Sequence, residues 1–245
     1  MLASSITTGP ALGHGPVAPS RGMGQQAPSH RAAPDPLTAL EAAATTVRVD
    51  KEQTIYAEGD PAEFCYRIVG GCARTVKLME DGRRQVVEFL LPGDLLGFDP
   101  FETCGLGAEA VTPLVLHAYR RSAVEGLADH DPAAARRLRT LAAAGLRSAW
   151  ERMTLLGRKT AVERIASFLL EMNTRLQHPS AGRIVLPMGR GDIADHLGLT
   201  METVCRLLSS LRQGGTIGTG RSVNGSEITI SDPSELRALA CAARH

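Results

Sequence analysis

One stretch constrains this chain more than any other: Arg190-Gly-Asp-Ile-Ala-Asp-His-Leu-Gly-Leu-Thr-Met-Glu-Thr-Val-Cys-Arg-Leu-Leu-Ser209. Ala194 is small enough to let a second helix cross close to the first. Gly198, four residues on, can take the φ > 0 conformation of a sharp turn. Ile193, Leu197, Leu199, Val204 and Leu208 sit where two short helices would share a core, and Thr200 can cap the second of them. A generic helical hairpin does not need a small residue, a turn glycine and five apolar sites in this register. The offsets together predict a helix-turn-helix, a motif whose second helix enters the major groove of DNA.

The outer face of that second helix is readable. Glu202, Cys205 and Arg206 lie at i, i+3 and i+4 near its N-terminus. Arginine suits a bidentate contact to guanine O6/N7, and glutamate can accept from cytosine N4, so this trio is the candidate for base readout. The competing reading of Glu202 and Arg206 is a surface ion pair worth only about 0.3–0.5 kcal/mol. Arg190, Thr200 and Thr203 are candidates for contacts that position the motif on phosphate. So is Arg221, at the tip of a hairpin expected after Gly215 that reads as a wing. A thiol one turn inside a helix N-terminus and beside Arg206 is in a field that favours oxidation, so Cys205 is also a candidate redox site. A plain small contact is the other reading.

The rest of the chain falls into three textures. Residues 1–36 are rich in Pro, Gly, Ala, Ser and Gln and hold little to bury, which predicts a disordered tail. From 37 to 126, short apolar runs alternate with turn pairs such as Asp81-Gly82 and Pro92-Gly93, which predicts an antiparallel β-roll, with a last strand from Ala110 to Tyr119. Residues 127–157 read as one long helix, with Pro132 in its first turn and Asp129 or Asp131 as cap. Within it, Ala142, Leu146, Ala149, Met153 and Leu156 alternate spacings of four and three, a seam for self-association through a partner helix. Packing of this helix on its own sheet is the alternative. Residues 158–245 hold a further amphipathic helix with Ile165, Phe168, Leu169 and Met172 on one face, then the helix-turn-helix, the hairpin and a terminal helix.

The net charge of +1 excludes binding to nucleic acid by bulk charge alone, but it conceals an asymmetry. Residues 37–157 carry 14 Lys+Arg against 17 Asp+Glu, and residues 158–245 carry 11 against 8. No apolar run approaches a membrane span, and the amino end lacks a secretory stretch. Five irregularly spaced cysteines argue against a disulfide framework, so a cytoplasmic protein is expected. No phosphate-binding Gly-rich loop, nucleophile elbow or His-Glu-x-x-His is present. No catalytic residue, metal site or cofactor is assigned.

At this point the sequence resembles the Crp/Fnr superfamily of bacterial transcription regulators. The resemblance rests on Glu58-Gly-Asp-Pro-Ala62, Tyr66-Arg-Ile-Val-Gly70, Leu91-Pro-Gly-Asp-Leu-Leu-Gly-Phe-Asp99, Arg190-Gly-Asp-Ile-Ala194 and Leu197–Leu208. It implies an α+β fold, in which a jelly-roll-like antiparallel β-roll of cyclic-nucleotide-binding type is joined by a long dimerisation helix to a winged helix-turn-helix domain. It also implies a homodimer on double-stranded DNA and a contact with RNA polymerase, for which the loop Pro100–Gly107 is the candidate. The Glu202-x-x-x-Arg206 pair is similar to the FNR/FixK branch and implies a TTGAT-N4-ATCAA-like inverted repeat upstream of microaerobic respiration, nitrogen-fixation or denitrification genes.

Two departures refine this. Gly97 is followed by Phe98-Asp99 rather than Glu, and no Arg or Lys lies between Phe98 and Tyr119, so a cyclic nucleotide is not expected as a ligand. The first cysteine is Cys65, so the amino-terminal iron–sulfur cysteines of FNR proper are missing, and Cys65, Cys72 and Cys104 read as small buried residues. The expectation is a FixK-like activator without a bound cofactor. A haem- or thiol-based sensor on the same scaffold, with His117 as a haem ligand in the first case, is the alternative.

Overall fold

The computed structural model describes residues 38–98, 101–176, 183–222 and 225–241. The expected tail, Asp99, Pro100 and the last four residues lie outside them. Two four-stranded antiparallel sheets form the roll. In the first, β1 (Thr45–Val49), β8 (Leu114–Arg120), β3 (Phe64–Gly70) and β6 (Leu95–Leu96) lie in that order. In the second the order is β2 (Thr54–Tyr56), β7 (Gly107–Ala110), β4 (Ala73–Leu78) and β5 (Arg84–Leu90). The turn joining β4 to β5 places Gly82 at φ +83°, as the Asp81-Gly82 pair predicts. The single strand expected from Ala110 to Tyr119 is two strands. β7 ends at Ala110, the Val111 and Thr112 amides both donate to the Cys72 carbonyl, and Pro113 has no amide to continue a ladder.

Val49, Ile68, Leu90, Leu96, Leu114 and Leu116 fill the roll. Cys65, Cys72 and Cys104 are buried, and burial pushes the Cys72 thiol up to about 12. Among the described residues, no group of three or more His, Cys, Asp or Glu side chains is gathered to hold a metal ion.

The stretch 127–157 is not one helix. α1 (Arg121–His130) ends before Asp131, and α2 begins at Pro132 and runs to Arg158. Asp131 is the cap, its carboxylate accepting from the Ala133 amide at 2.7 Å, with Pro132 as the first helical residue. Ala134 is the one buried residue of α2, and from Thr140 onward its side chains are mostly exposed. Among the described residues no helix is long and apolar enough to cross a membrane.

α3 (Ala161–Leu176) buries Ile165, Phe168, Leu169 and Met172, the face expected from their spacing. The Thr160 hydroxyl donates to Glu163 at 2.7 Å, part of a capping box at its start. β9 (Arg183–Leu186), α4 (Arg190–Leu197), α5 (Met201–Gln213), β10 (Ile217–Ser222), β11 (Gly225–Ile230) and α6 (Pro233–Ala240) follow. β10, β11 and β9 form a three-stranded antiparallel sheet in that order.

These carboxyl-terminal elements do not form a core of their own. Cys72, Val76, Val86, Phe89 and Leu91 of the roll share one apolar cluster with Ile165, Phe168, Ile193 and Leu197. His196 stands inside it, 4% exposed, with its ring 4.9 Å from that of Phe89 and 5.7 Å from that of Phe168. Arg152 Nη1 lies 2.8 Å from Nε2 and 3.1 Å from Nδ1, and Nδ1 lies 3.2 Å from the Val86 carbonyl. Because a carbonyl only accepts and a guanidinium only donates, the tautomer protonated on Nδ1, with Nε2 accepting from Arg152, serves both. Burial, reinforced by the Arg152 charge, pushes the imidazole down to about 3.

The folded chain thus refuses a proton that the unfolded chain takes up below the ordinary value of 6.5, and His196 costs stability as pH falls from 6.5 toward 3. Between pH 7 and 5.5, above most carboxylate titration, the wild type should lose about 1 kcal/mol more than His196→Gln in urea titrations. Equal losses in the two proteins would contradict a neutral, buried His196.

Candidate nucleic-acid interface

The helix-turn-helix comprises α4, the turn at Gly198 and α5. Gly198 is at φ +61°, and its amide donates to the Ala194 carbonyl, closing α4. Arg164 of α3 ties this turn to the end of α2, donating to the Leu197 carbonyl at 2.8 Å, the Leu156 carbonyl at 2.8 Å and the Lys159 carbonyl at 3.0 Å. Ala194, Ile193, Leu197, Val204 and Leu208 are buried and Leu199 half-buried, as their offsets require. Thr200 caps α5, its hydroxyl accepting from the Thr203 amide at 3.2 Å and donating to the Thr203 hydroxyl at 2.9 Å.

The opposite face of α5 is open. Glu202, Cys205, Arg206 and Ser209 are exposed, and Glu202 and Arg206 approach only to 3.9 Å with both side chains largely in solvent. At that distance the ion pair is weak and both groups are available to a ligand.

Beside this face is a cleft of about 150 Å³, lined by Arg190, Cys205, Leu208, Ser209, Arg212 and Thr219. It brings the first residue of α4, the exposed face of α5 and the first strand of the hairpin together. Arg190 Nη1 is buried there without a hydrogen-bond partner. A buried donor left unpaired costs about 1–3 kcal/mol, which an anionic acceptor entering the cleft would recover. Sequence reasoning singled out Arg190 but missed Ser209, Arg212 and Thr219, which join it only through the fold. Arg221 lies in β10 opposite Ser226, and its side chain is outside the described residues.

α4 is held from behind by the roll. Arg74 of β4, 4% exposed, donates from Nη1 to Asp192 at 2.8 Å, from Nε to Glu109 at 2.8 Å and from Nη2 to Glu52 at 2.7 Å. Arg84 of β5 donates to the same Asp192 oxygen at 2.8 Å and to Asp195 at 2.8 Å and 3.0 Å. Gln85 donates to the His196 carbonyl at 3.2 Å, and Arg175 of α3 donates to Asp94 at 2.6 Å and to the Phe89 carbonyl at 2.9 Å.

The expected seam of α2 lies open. Ala142, Leu146, Ala149 and Met153 are exposed and Leu156 is half-buried. Leu141 and Trp150, which the seam did not include, are exposed as well, Trp150 to 57%. On the roll, the loop before β7 exposes Phe101, whose carbonyl accepts from Arg121 at 2.6 Å.

Comparison with known proteins agrees with this architecture. Residues 163–239 match the family model of the Crp-like helix-turn-helix domain, and residues 46–131 that of the cyclic nucleotide-binding domain. The chain is 40% identical to the nitrogen fixation regulation protein FixK of Azorhizobium caulinodans, over 83% of its length and 82% of that protein. It is 39% identical to the transcriptional activator protein FnrL of Cereibacter sphaeroides, over 67% of this chain and 69% of that one. The solved structure of FixK2 from Bradyrhizobium japonicum matches with a TM-score of 0.77 at 43% identity, covering 82% of this chain and 99% of that one. The chain belongs to the Crp/Fnr family of transcription regulators, on its FixK-like branch, and carries that family's DNA-binding helix-turn-helix.

Proposed function

We propose that the protein acts in the cytoplasm as a homodimeric activator that reads a TTGAT-N4-ATCAA-like inverted repeat and controls genes of microaerobic respiration, nitrogen fixation or denitrification. The observation that carries this reading is the exposed face of α5, where Glu202, Cys205 and Arg206 stand in solvent on a helix capped by Thr200. Arg206 reads guanine and Glu202 its partner cytosine. Arg190, Ser209, Arg212 and Thr219 take a backbone phosphate in their cleft, with Thr200 and Thr203 fixing the start of the helix and Arg221 reaching phosphate from the wing. Asp192 and Asp195, two of the acids in this basic part of the chain, are neutralised by arginines of the roll. That leaves the DNA-facing side more positive than the residue count implies.

A 27-residue helix whose only buried residue is Ala134 does not account for its own apolar surface. The stripe Leu146, Trp150 and Met153 is best covered by α2 of a second copy, with Ala142 and Ala149 allowing close approach and Leu156 closing the seam. Two copies give the two-fold symmetry an inverted repeat requires. The loop exposing Phe101 is the proposed contact for RNA polymerase.

In this reading the roll takes no cyclic nucleotide. The stretch from Phe98 to Tyr119 offers no arginine or lysine to a phosphate.

Arg206→Ala should weaken binding to the TTGAT-N4-ATCAA duplex by about 1–3 kcal/mol and lower discrimination against a duplex altered at the guanine step. Equal discrimination by wild type and variant in titrations across a salt series would contradict base readout. Leu146→Lys/Met153→Lys should convert the dimer to monomer in sedimentation experiments and abolish binding to the full repeat. A dimer that persists in this variant would contradict the seam.

A second reading concerns the thiol-based alternative. Cys205 is exposed within the reading face, whereas Cys65, Cys72 and Cys104 are buried. Oxidation by hydrogen peroxide would convert its thiol to a sulfenic acid, one peroxide oxygen passing to sulfur and the other leaving as water, and place a bulkier polar group against the DNA. Peroxide should then weaken DNA binding by wild type and not by Cys205→Ser, and equal weakening of both would contradict it.

A further inference from the structure

The surface where α4 meets the β4–β5 hairpin holds more ionic contacts than docking a helix requires. A helix already seated through Ile193, His196 and Leu197 against Val86 and Phe89 is fixed in depth by apolar burial. Apolar contact is non-directional, however, and leaves rotation and sliding of the helix weakly specified. Bidentate and shared arginine–carboxylate contacts are directional. Here Arg74 and Arg84 converge on one oxygen of Asp192, and Arg84 then grips Asp195 one turn further along α4. Both grips lie on strands of the roll that neighbour each other in the sheet.

Building on the inverted-repeat reading above, we infer that Asp192 and Asp195, held by Arg74 and Arg84, are positioning residues that fix the angle of the helix-turn-helix on its own roll and thereby set the half-site spacing the dimer accepts. The chain of positions is short. The two carboxylates fix α4, the αL turn at Gly198 and the shared core fix α5 on α4, and α5 carries Glu202 and Arg206. Each added base pair between half-sites turns the second site by about one tenth of a helical turn, so tolerance for spacing measures the angular freedom of α5 in the dimer. Neither aspartate faces the proposed DNA side, because both carboxylates are spent on the roll.

The test uses the full chain carrying Asp192→Asn/Asp195→Asn. The double substitution keeps side-chain size and leaves the buried Arg74 paired with Glu52 and Glu109, so the roll retains its own charges in balance. Duplexes carry the two half-sites with spacers of three, four, five or six base pairs. Loss of two negative charges raises affinity for every duplex alike, so the informative quantity is the ratio between spacers. The wild type should prefer the four-base-pair spacer about tenfold or more, and in the double variant that preference should fall several-fold. Asp195→Glu, which keeps the charge, should retain the preference. In parallel, tryptic cleavage at Arg158 and Lys159, the joint between α2 and α3, should accelerate in the double variant without DNA present.

An unchanged spacer ratio in the double variant overturns the inference, even if its overall affinity rises. An unchanged cleavage rate with an unchanged ratio shows that apolar burial alone fixes the angle. A wild type indifferent to spacing overturns the inverted-repeat reading itself, and the cleavage experiment still reports on the ion pairs independently of it.

Discussion

The guanidinium of Arg74 is the constraint on which the arrangement of this molecule depends. Taking a cation out of water costs several kcal/mol unless carboxylates surround it in good geometry. The roll supplies Glu52 and Glu109, and the DNA-binding part supplies Asp192 from a position 118 residues away in sequence. Around this charge the apolar cluster runs without interruption from Val76, Val86 and Phe89 into Phe168 and Leu197, with the neutral His196 imidazole bridging the Val86 carbonyl and Arg152. The roll and the helix-turn-helix therefore fold as one body. The orientation of α5 is set by contacts between the described parts of the roll and the helix-turn-helix.

Among the described residues, that arrangement leaves the outer sides of α5 and α2 exposed, and the two differ in chemistry. The outer side of α5 is polar, carries Glu202, Arg206 and Ser209, and adjoins a cleft containing the unpaired donor of Arg190. The outer side of α2 is apolar, with Leu146, Trp150 and Met153 in solvent. A polar open face with convergent cations suits a polyanion read by hydrogen bonds, and an apolar open stripe suits a second helix of the same kind. The near-neutral total charge follows from the same division of labour. The acidic roll donates Arg74 and Arg84 to the acids of α4, so Asp192 and Asp195 are neutralised while Arg206 and Arg212 remain exposed.

Much of the site could be read from sequence because its determinants are local. Ala194, Gly198 and Thr200 act within one or two turns of their own position, and the structure uses them as small contact, αL cap and N-cap. The apolar faces of α3 and α5 follow from helical spacing for the same reason. Contacts that join distant segments leave no such trace. Nothing in the periodicity around Arg74, Arg84 or His196 shows that β4, β5 and α4 meet, nor that Ser209, Arg212 and Thr219 line one cleft with Arg190. α1 escaped notice because its N-cap position is Arg120, which makes no side-chain capping bond, so no capping residue marks its start. The break between β7 and β8 rests on Pro113, a signal present in the sequence but overridden by the apolar residues around it. Trp150 lies beside the seam of small and aliphatic residues, outside a strict heptad pattern.

In the proposed reading, Arg206 in each of two copies meets a guanine edge in the major groove. Methylation interference measures this directly, because a methyl group on guanine N7 occupies the acceptor that a bidentate arginine uses. The bound fraction should exclude duplexes methylated at the TTGAT guanine of either arm, with equal effect in the two arms. Full binding to duplexes methylated at both guanines would contradict it.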